Sequence, residues 1–423
     1  MEVKPGYKQT EVGVIPQEWV TKRCCDLSDR ITVGIVIRPA QYYVRYGIPA
    51  LRSANIRESG INDADLVFIS AKSNDLLAKS QTRAGDVLTV RTGYPGTSAV
   101  VRHSHAGCNC IDILITRPTG AVAPEFLARW INSPFGKEQV LRNQGGLAQK
   151  HFNVADMRNL VVALPSAPEQ RAIATALGDV DALVGAQERL IAKKRDLKQA
   201  AMQRLLTGKT RLPGFSGEWG VRTLGEIAEV KTGPFGSSLH ESDYVRDGTP
   251  IITVEHLGQF GVEHINLPMV SNSDRHRLRA YTLEAGDIVF SRVGSVDRNA
   301  LIRRTEAGWL FSGRLLRIRP DSHKASAPYL SYYFHSEDFT ASVREVAVGQ
   351  TMACLNTQIL KGLAVTLPPL AEQAAVTAVL TDMDAELAAL EQRLAKTRAL
   401  KQAMMEELLT GRTRLISPQE AHA

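Results

Sequence analysis

No stretch of this 423-residue chain approaches the ~18 consecutive apolar residues that would cross a bilayer, so no transmembrane helix is expected. The opening residues, Met1-Glu2-Val3-Lys4-Pro5-Gly6, lack the apolar segment of a signal peptide, and the expected location is the cytoplasm. Cysteines are few and odd in number, five in all, which argues against a disulfide framework and for reduced thiols. There is no Gly-rich loop ending in Gly-Lys-Ser/Thr, so ATP binding is not expected. Also missing is the Asp/Asn-Pro-Pro-Tyr/Phe turn that an amino-methyltransferase uses to hold its target amine. The only Pro-Pro pair, Pro368-Pro369, stands between Leu367 and Leu370.

What remains is an ordinary folded composition, 44% hydrophobic and 22% charged, in a chain too long for one core. A net charge of +7 leans toward a polyanionic partner, although many proteins without one are equally basic.

The dominant feature is a duplication. Leu164-Pro165-Ser166-Ala167-Pro168-Glu169-Gln170 is answered by Leu367-Pro368-Pro369-Leu370-Ala371-Glu372-Gln373. Glu18-Trp19 returns as Glu218-Trp219, and Ala84-Gly85-Asp86-Val87-Leu88 as Ala285-Gly286-Asp287-Ile288-Val289. An Arg-x-Gly turn follows each of the latter, at Arg91 and Arg292. Leu206-Thr207-Gly208 is matched by Leu409-Thr410-Gly411. The offset drifts only from 200 to 203, so whole domains are repeated rather than the ~20–50-residue units of a solenoid.

Within each copy the first part alternates short Val/Ile/Leu strands with Gly, Pro, Asn and Asp turns, and predicts a compact α/β (α+β) domain with small mixed sheets. The last ~40 residues have helix composition. Their apolar residues follow a heptad stripe through Leu177, Val180, Val184, Ile191 and Leu205 in copy one. Copy two repeats the register in Leu380, Met383, Leu387, Leu390, Leu394, Met404 and Leu408. The stripe is polar part-way along, at Gln187, Lys194 and Lys198 and at Thr397 and Lys401. So narrow a stripe calls for a partner helix. If a pseudo-twofold relates the copies, the two helices form an antiparallel coiled coil roughly 60 Å long. The alternative is that each helix packs only on its own domain. The expected segments are a domain over 1–163, a helix region over 164–210, a second domain over 211–366, a second helix region over 367–412 and a tail over 413–423.

Taken together, Tyr7-Lys8-Gln9-Thr10-Glu11-Val12-Gly13-Val14-Ile15-Pro16, the two Leu-Pro-x-x-x-Glu-Gln helix starts and the Leu-Leu-Thr-Gly-Lys/Arg-Thr-Arg-Leu helix ends resemble the specificity subunit of type I restriction-modification systems. The passage Arg211-Leu212-Pro213-Gly214-Phe215 is similar to that family's entrance to its second half. The resemblance covers essentially the whole chain. It implies two target recognition domains, each reading half of a split site on double-stranded DNA, and helices that space them and dock two methyltransferase subunits. It implies no chemistry and no cofactor in this chain. The assembly would methylate adenine at N6 and, where translocase and nuclease subunits join it, restrict unmodified DNA. A stand-alone DNA-binding regulator, or a scaffold with generic domains, stays open as the other reading.

Base readout favours Arg, Asn and Gln, and phosphate contact favours Lys, Arg and polar groups. Turn positions therefore supply the DNA-binding candidates. In copy one these are Arg52, Asn55, Arg91, Tyr94, Gln149, Lys150 and His151. In copy two they are Arg275, His276, Arg277, Arg279, Arg292, Arg298, Asn299 and Gln350. Each could equally be a solvated or structurally paired side chain. The basic run Lys193-Lys194-Arg195 reads first as a solvated helix face. His103-Ser104-His105 with Cys108 and Cys110 has poor zinc spacing and reads as a turn between strands, so no metal is expected.

Overall fold

A computed structural model describes residues 4–142, 152–234, 239–258, 261–347 and 354–416. The chain forms two compact units, one of residues 1–190 with 391–423 and one of residues 191–390. The division falls inside the two long helices. Each unit thus joins a globular domain to the start of one long helix and the end of the other.

In the first unit the repeated Ala-Gly-Asp stretch opens the strand Val87–Val90, all four residues of which are buried. It lies between Ser98–Val100 and Ile113–Pro118, with Ser28–Val33 at the far edge, in one antiparallel sheet. Gly85 takes a positive φ of 87° at the turn before it, where a side chain would be strained. Asp86 is 1% exposed and is held by two bonds of 2.8 Å from Arg117. A second, mixed sheet orders Asn109–Cys110, Ile48–Leu51, Val67–Ile69 and Tyr43–Val44, its first pair parallel. The strand Val20–Arg23 pairs with Val161–Leu164, tying the start of the domain to the residues that lead into the first long helix.

The second unit repeats this plan. Ile288–Ser291 lies between Asn299–Leu301 and Leu315–Pro320, with Ala228–Thr232 at the edge. Asp287, 1% exposed, receives Arg319 at 2.7 and 2.8 Å. Leu310–Phe311 runs parallel to Thr249–Ile252 in the mixed sheet, and Gly220–Thr223 pairs with Ala364–Leu367.

The long helices span Ala167–Leu205 and Leu370–Leu409. Each is followed by a glycine at positive φ, Gly208 at 70° and Gly411 at 66°, the usual geometry of a helix stop. Ion pairs fix their mutual direction within each unit. In the first, Lys401 meets Asp181 at 2.7 Å and Arg398 meets Glu188 at 2.6 Å. In the second, Lys198 meets Asp384 and Lys194 meets Glu386 at 2.6 Å. As one number rises its partner's falls, so the pairing is antiparallel.

The apolar ends of each stripe belong to the domain cores. Ile173, Leu177, Met405, Leu408 and Leu409 join Trp19, Phe126 and Trp130 in the first unit. Met202, Leu205, Val376 and Leu380 join Tyr329, Phe334 and Phe339 in the second. Among the other stripe positions Ile191 is buried, whereas Val180, Val184, Met383, Leu387, Leu390, Leu394 and Met404 are half-buried. Within each unit the helices therefore pair antiparallel while the start of one also packs on its own domain, so the alternative of packing on that domain only does not hold.

Candidate nucleic-acid interface and helix hinge

The repeated Glu-Gln pair sits where four separate sequence features converge. Gln170 is 2% exposed. Its oxygen accepts from the Ala123 N–H at 2.8 Å, and its amide donates to the carbonyls of Ala121 and Pro165 at 3.2 and 3.0 Å. Gln373 does the same work in the second unit, accepting from the Ser326 N–H and donating to the Pro368 carbonyl, both at 2.8 Å. These glutamines are consumed inside the fold and bind the helix start to its domain.

Beside them Glu169 and Glu372, each 1% exposed, receive the arginine that follows the opposite helix. Arg414 donates to both oxygens of Glu169, one bond measuring 2.8 Å, and also pairs with Glu18. Arg211 donates to Glu372 at 2.6 Å, which raises its own pKa further. Each guanidinium also faces a tryptophan, Trp19 at 5.9 Å and Trp219 at 5.5 Å, a cation–π arrangement. Trp19 donates to Glu169 at 3.1 Å. The Trp219 indole N–H is buried with no such acceptor.

A second polar node lies further along each helix pair. In the second unit Lys198, 5% exposed, pairs with Asp384, which also accepts from the Tyr332 hydroxyl at 2.6 Å. Burial and that carboxylate push the Tyr332 pKa up to about 12. In the first unit Asp181 takes Lys401 at 2.7 Å and Arg129 at 2.6 Å. Arg129 occupies the position equivalent to Tyr332. The polar interruptions of the stripe are thus positions where domain, helix and neighbouring helix share one carboxylate.

The DNA-binding candidates fall into three groups. Gln149, Lys150, His151 and Gln350 lie outside the described residues. A second group is committed to the fold. Asn55 is fully buried, accepting from the Arg52 N–H at 2.9 Å and donating to the carbonyls of Asn62 and Ala64. Asn299 is fully buried in its strand, so neither asparagine reaches a base without the domain opening. Arg52 donates to the Asp65 carbonyl and Arg298 to that of Leu257. Arg91 pairs with Asp112 at 2.7 Å, and Arg292 donates to the Leu355 carbonyl at 3.2 Å and to Thr232 at 3.3 Å. All four of these arginines are half-buried.

The third group is exposed. Tyr94 is 82% exposed, and Arg275, His276, Arg277 and Arg279 ring the short helix Asn272–Arg277 and the turn after it. Arg277 is partly neutralised by Asp274 at 2.7 Å. Sequence reading passed over Arg38, Arg45 and Tyr46, all exposed. The signal available for them was an acid-free run between Arg30 and Arg57.

The His/Cys stretch forms a turn between Ser98–Val100 and Asn109–Cys110. His105 bonds Asp63 at 2.7 Å, and burial pushes the thiols of Cys108 and Cys110 up, away from the thiolate a metal requires. No cluster of three or more metal-binding side chains occurs among the described residues. In the second domain the same contact is made with the ends exchanged, His264 bonding Glu306 at 2.8 Å. Burial raises the Glu306 pKa, but bonds from Thr305, the Arg303 N–H and His264 outweigh it and hold the carboxyl below its ordinary range. Among the described residues no helix is long and apolar enough to cross a membrane.

A duplicated pair of domains, each locked to an antiparallel helix pair and each carrying exposed cations, defines a recognition scaffold. The family model "Type I restriction modification DNA specificity domain" matches residues 216–397. The StySPI specificity subunit of Salmonella potsdam is 23% identical over 94% of this chain and 90% of its own length. The EcoKI specificity subunit of Escherichia coli (strain K12) is 22% identical over 94% and 90%. The solved type I S subunit from M. genitalium has this fold, with a TM-score of 0.58 at 14% identity over 96% of this chain and 98% of that one. Residues 216–397 thus match the type I specificity-domain family, and relatives aligned along nearly the whole chain are type I specificity subunits. Among such specificity subunits the catalytic activities lie in other subunits, so the similarity points to DNA recognition rather than to an enzyme.

Proposed function

We propose that the domains within 1–163 and 211–366 each read one half of a bipartite, asymmetric site on double-stranded DNA, while the helices within 164–210 and 367–412 space them. The same helices dock two methyltransferase subunits, which methylate adenine at N6, and restriction/translocase subunits join where the system has them. The assembly works in the cytoplasm. The observation that carries this reading is the duplication of the hinge: the same Glu, Gln, Arg and Trp lock each domain to a helix pair, as a two-reader protein requires. Phosphate contact falls to exposed cations such as Arg275, Arg277 and Arg279.

The test is a methylome of the host with and without this gene. One split N6-methyladenine motif should depend on it, and replacing residues 1–160 by those of a relative should change one half of the motif only. An unchanged methylome on deletion would refute the proposal. DNA binding by the isolated chain, with no methyltransferase co-purifying, would favour the stand-alone regulator instead.

A further inference from the structure

Between Arg30 and Arg57 the first domain carries five arginines, Arg30, Arg38, Arg45, Arg52 and Arg57, and no Asp or Glu. The equivalent stretch 201 positions on, Lys231 to Gly258, sets Lys231 and Arg246 against Glu241, Asp243, Asp247 and Glu255. One fold element is therefore cationic in one domain and acidic in the other.

The middle of the cationic run is also apolar and uncovered. Ile37 is 78% exposed, Tyr46 76% and Val36 48%. The Arg45 guanidinium lies 5.4 Å from the centre of the Tyr46 ring. Exposed apolar and aromatic side chains in an arginine-rich, acid-free stretch are the composition of a surface that meets nucleic acid.

The tip that displays Tyr46 is rigid. Tyr43–Val44 and Ile48–Leu51 both pair with Val67–Ile69. Between them Gly47 sits so close that a Cβ there would lie 2.3 Å from the Ile69 carbonyl oxygen. Gly248 is wedged in the same way, 2.1 Å from the Val270 carbonyl oxygen. The backbone of the tip is thus shared by the two domains, and they differ in what it shows: Tyr46 in the first, Asp247 in the second. Arg38 adds a non-glycine residue in the left-handed region, with φ 43°, a conformation retained where the surroundings impose it.

We propose that this tip is the first domain's wedge on duplex DNA. Tyr46 packs against the bases of its half-site, and Arg38 and Arg45 hold the flanking phosphates. The second domain, acidic at the equivalent tip, has no counterpart. Duplex DNA is the occupant that fits, because exposed Arg38 and Arg45, in a stretch without Asp or Glu, suit a phosphate chain and an aromatic tip suits base faces. The proposal rests on the DNA-reading function above.

The experiment uses the full chain in complex with its methyltransferase and duplexes bearing the motif found in the methylome, intact or scrambled in one half. Tyr46→Ala should weaken binding to the intact motif about tenfold or more and relax specificity in one half only. Tyr46→Phe, which keeps the ring, should retain it, and Tyr46→Asp, the residue of the second domain, should be worst. The double change Arg38→Ala/Arg45→Ala should weaken all duplexes alike and lower the salt slope by about 2. That pair gives an independent reading should Tyr46→Ala fail to fold. A wild-type complex with no split motif overturns the DNA-reading function and the wedge with it. A clear wild-type motif with Tyr46→Ala and the double arginine variant both within twofold of wild type overturns the wedge alone. So does a Tyr46→Ala loss that is equal on intact and scrambled duplexes.

Discussion

Removing the carboxylate of Asp384 should be far more damaging than removing the carboxylate and its lysine together. Asp384 accepts from Lys198 and from the Tyr332 hydroxyl, and the Lys198 side chain is 7% exposed. Asp384→Ala takes the carboxylate away from that buried ammonium, which also lies 5.6 Å from the centre of the Tyr332 ring. Breaking a buried ion pair by removing one partner costs about 3–5 kcal/mol. Lys198→Met leaves the acid with Tyr332 and with partial access to solvent, since the Asp384 side chain is 31% exposed. That loss should be about 1–3 kcal/mol. Lys198→Met with Asp384→Leu removes both charges and should return to within about 1.5 kcal/mol of wild type, giving a large non-additive term. In the first unit Lys401 is 20% exposed and Asp181 also holds Arg129, so Asp181→Ala should cost less than Asp384→Ala. A protein with two units will not unfold in one step. The suitable measurement is therefore hydrogen exchange of peptides from 191–205 and 370–390 at increasing urea. If Asp384→Ala exchanges like wild type, or the double variant is as damaged as the single, the node does not hold the helices in register.

Three further outcomes follow from differences between the copies. Trp19→Phe should lower stability by about 1 kcal/mol more than Trp219→Phe, because only Trp19 donates to its glutamate; paired urea melts decide this. Gly411→Ala should be markedly worse than Gly208→Ala: both glycines have positive φ, but a Cβ at 411 would lie 2.4 Å from Pro16, whereas at 208 it finds Trp219 at 3.4 Å. Thermal melting of the two variants would show the reverse order if this packing is wrong. Burial, aided by Lys198, holds the His335 pKa below 6.5 against the Ser331 carbonyl, Asp297 and Asp384. The folded state then binds fewer protons than the unfolded one, so this contribution is intact above about pH 6.5 and is lost as pH falls below it, by at most about 1.4 kcal/mol per pH unit. His335→Asn installs what the first domain has at that place. There Asn132 bonds both backbone groups of Ser98 at 2.8 Å, so the variant should flatten the profile of the second unit between pH 7 and pH 5. A slope that survives in the variant would assign it to another group.

Much of the architecture was legible because duplication is visible without any structure. The heptad register, the helix stops at Gly208 and Gly411, and the strand after Gly85 all rest on local periodicity or on glycine's freedom at positive φ. Convergence was not legible. Glu169, Arg414 and Trp19 are scattered over nearly the whole sequence, and only folding places them around one buried carboxylate. The asparagines misled for a related reason. Asn55 follows an arginine at a turn, as a base reader would, but a turn can also close on its own amide, and Asn55 is spent on Asn62 and Ala64. Arg38, Arg45 and Tyr46 were missed because polar turn residues were weighed one by one, whereas their signal is the absence of acids over a whole stretch.

The contact whose ends are exchanged, Asp63 with His105 in one domain and His264 with Glu306 in the other, bears on how such a gene can evolve. A recombination event that joined the two copies between these positions would set Asp63 against Glu306, or His264 against His105. Either hybrid loses a bond and brings together two groups of like kind. A crossover at the hinge meets the same glutamate, glutamine, arginine and tryptophan on both sides. Exchange is thereby steered to the joints, so that whole reading heads change hands in one piece while the frame that carries them is inherited intact.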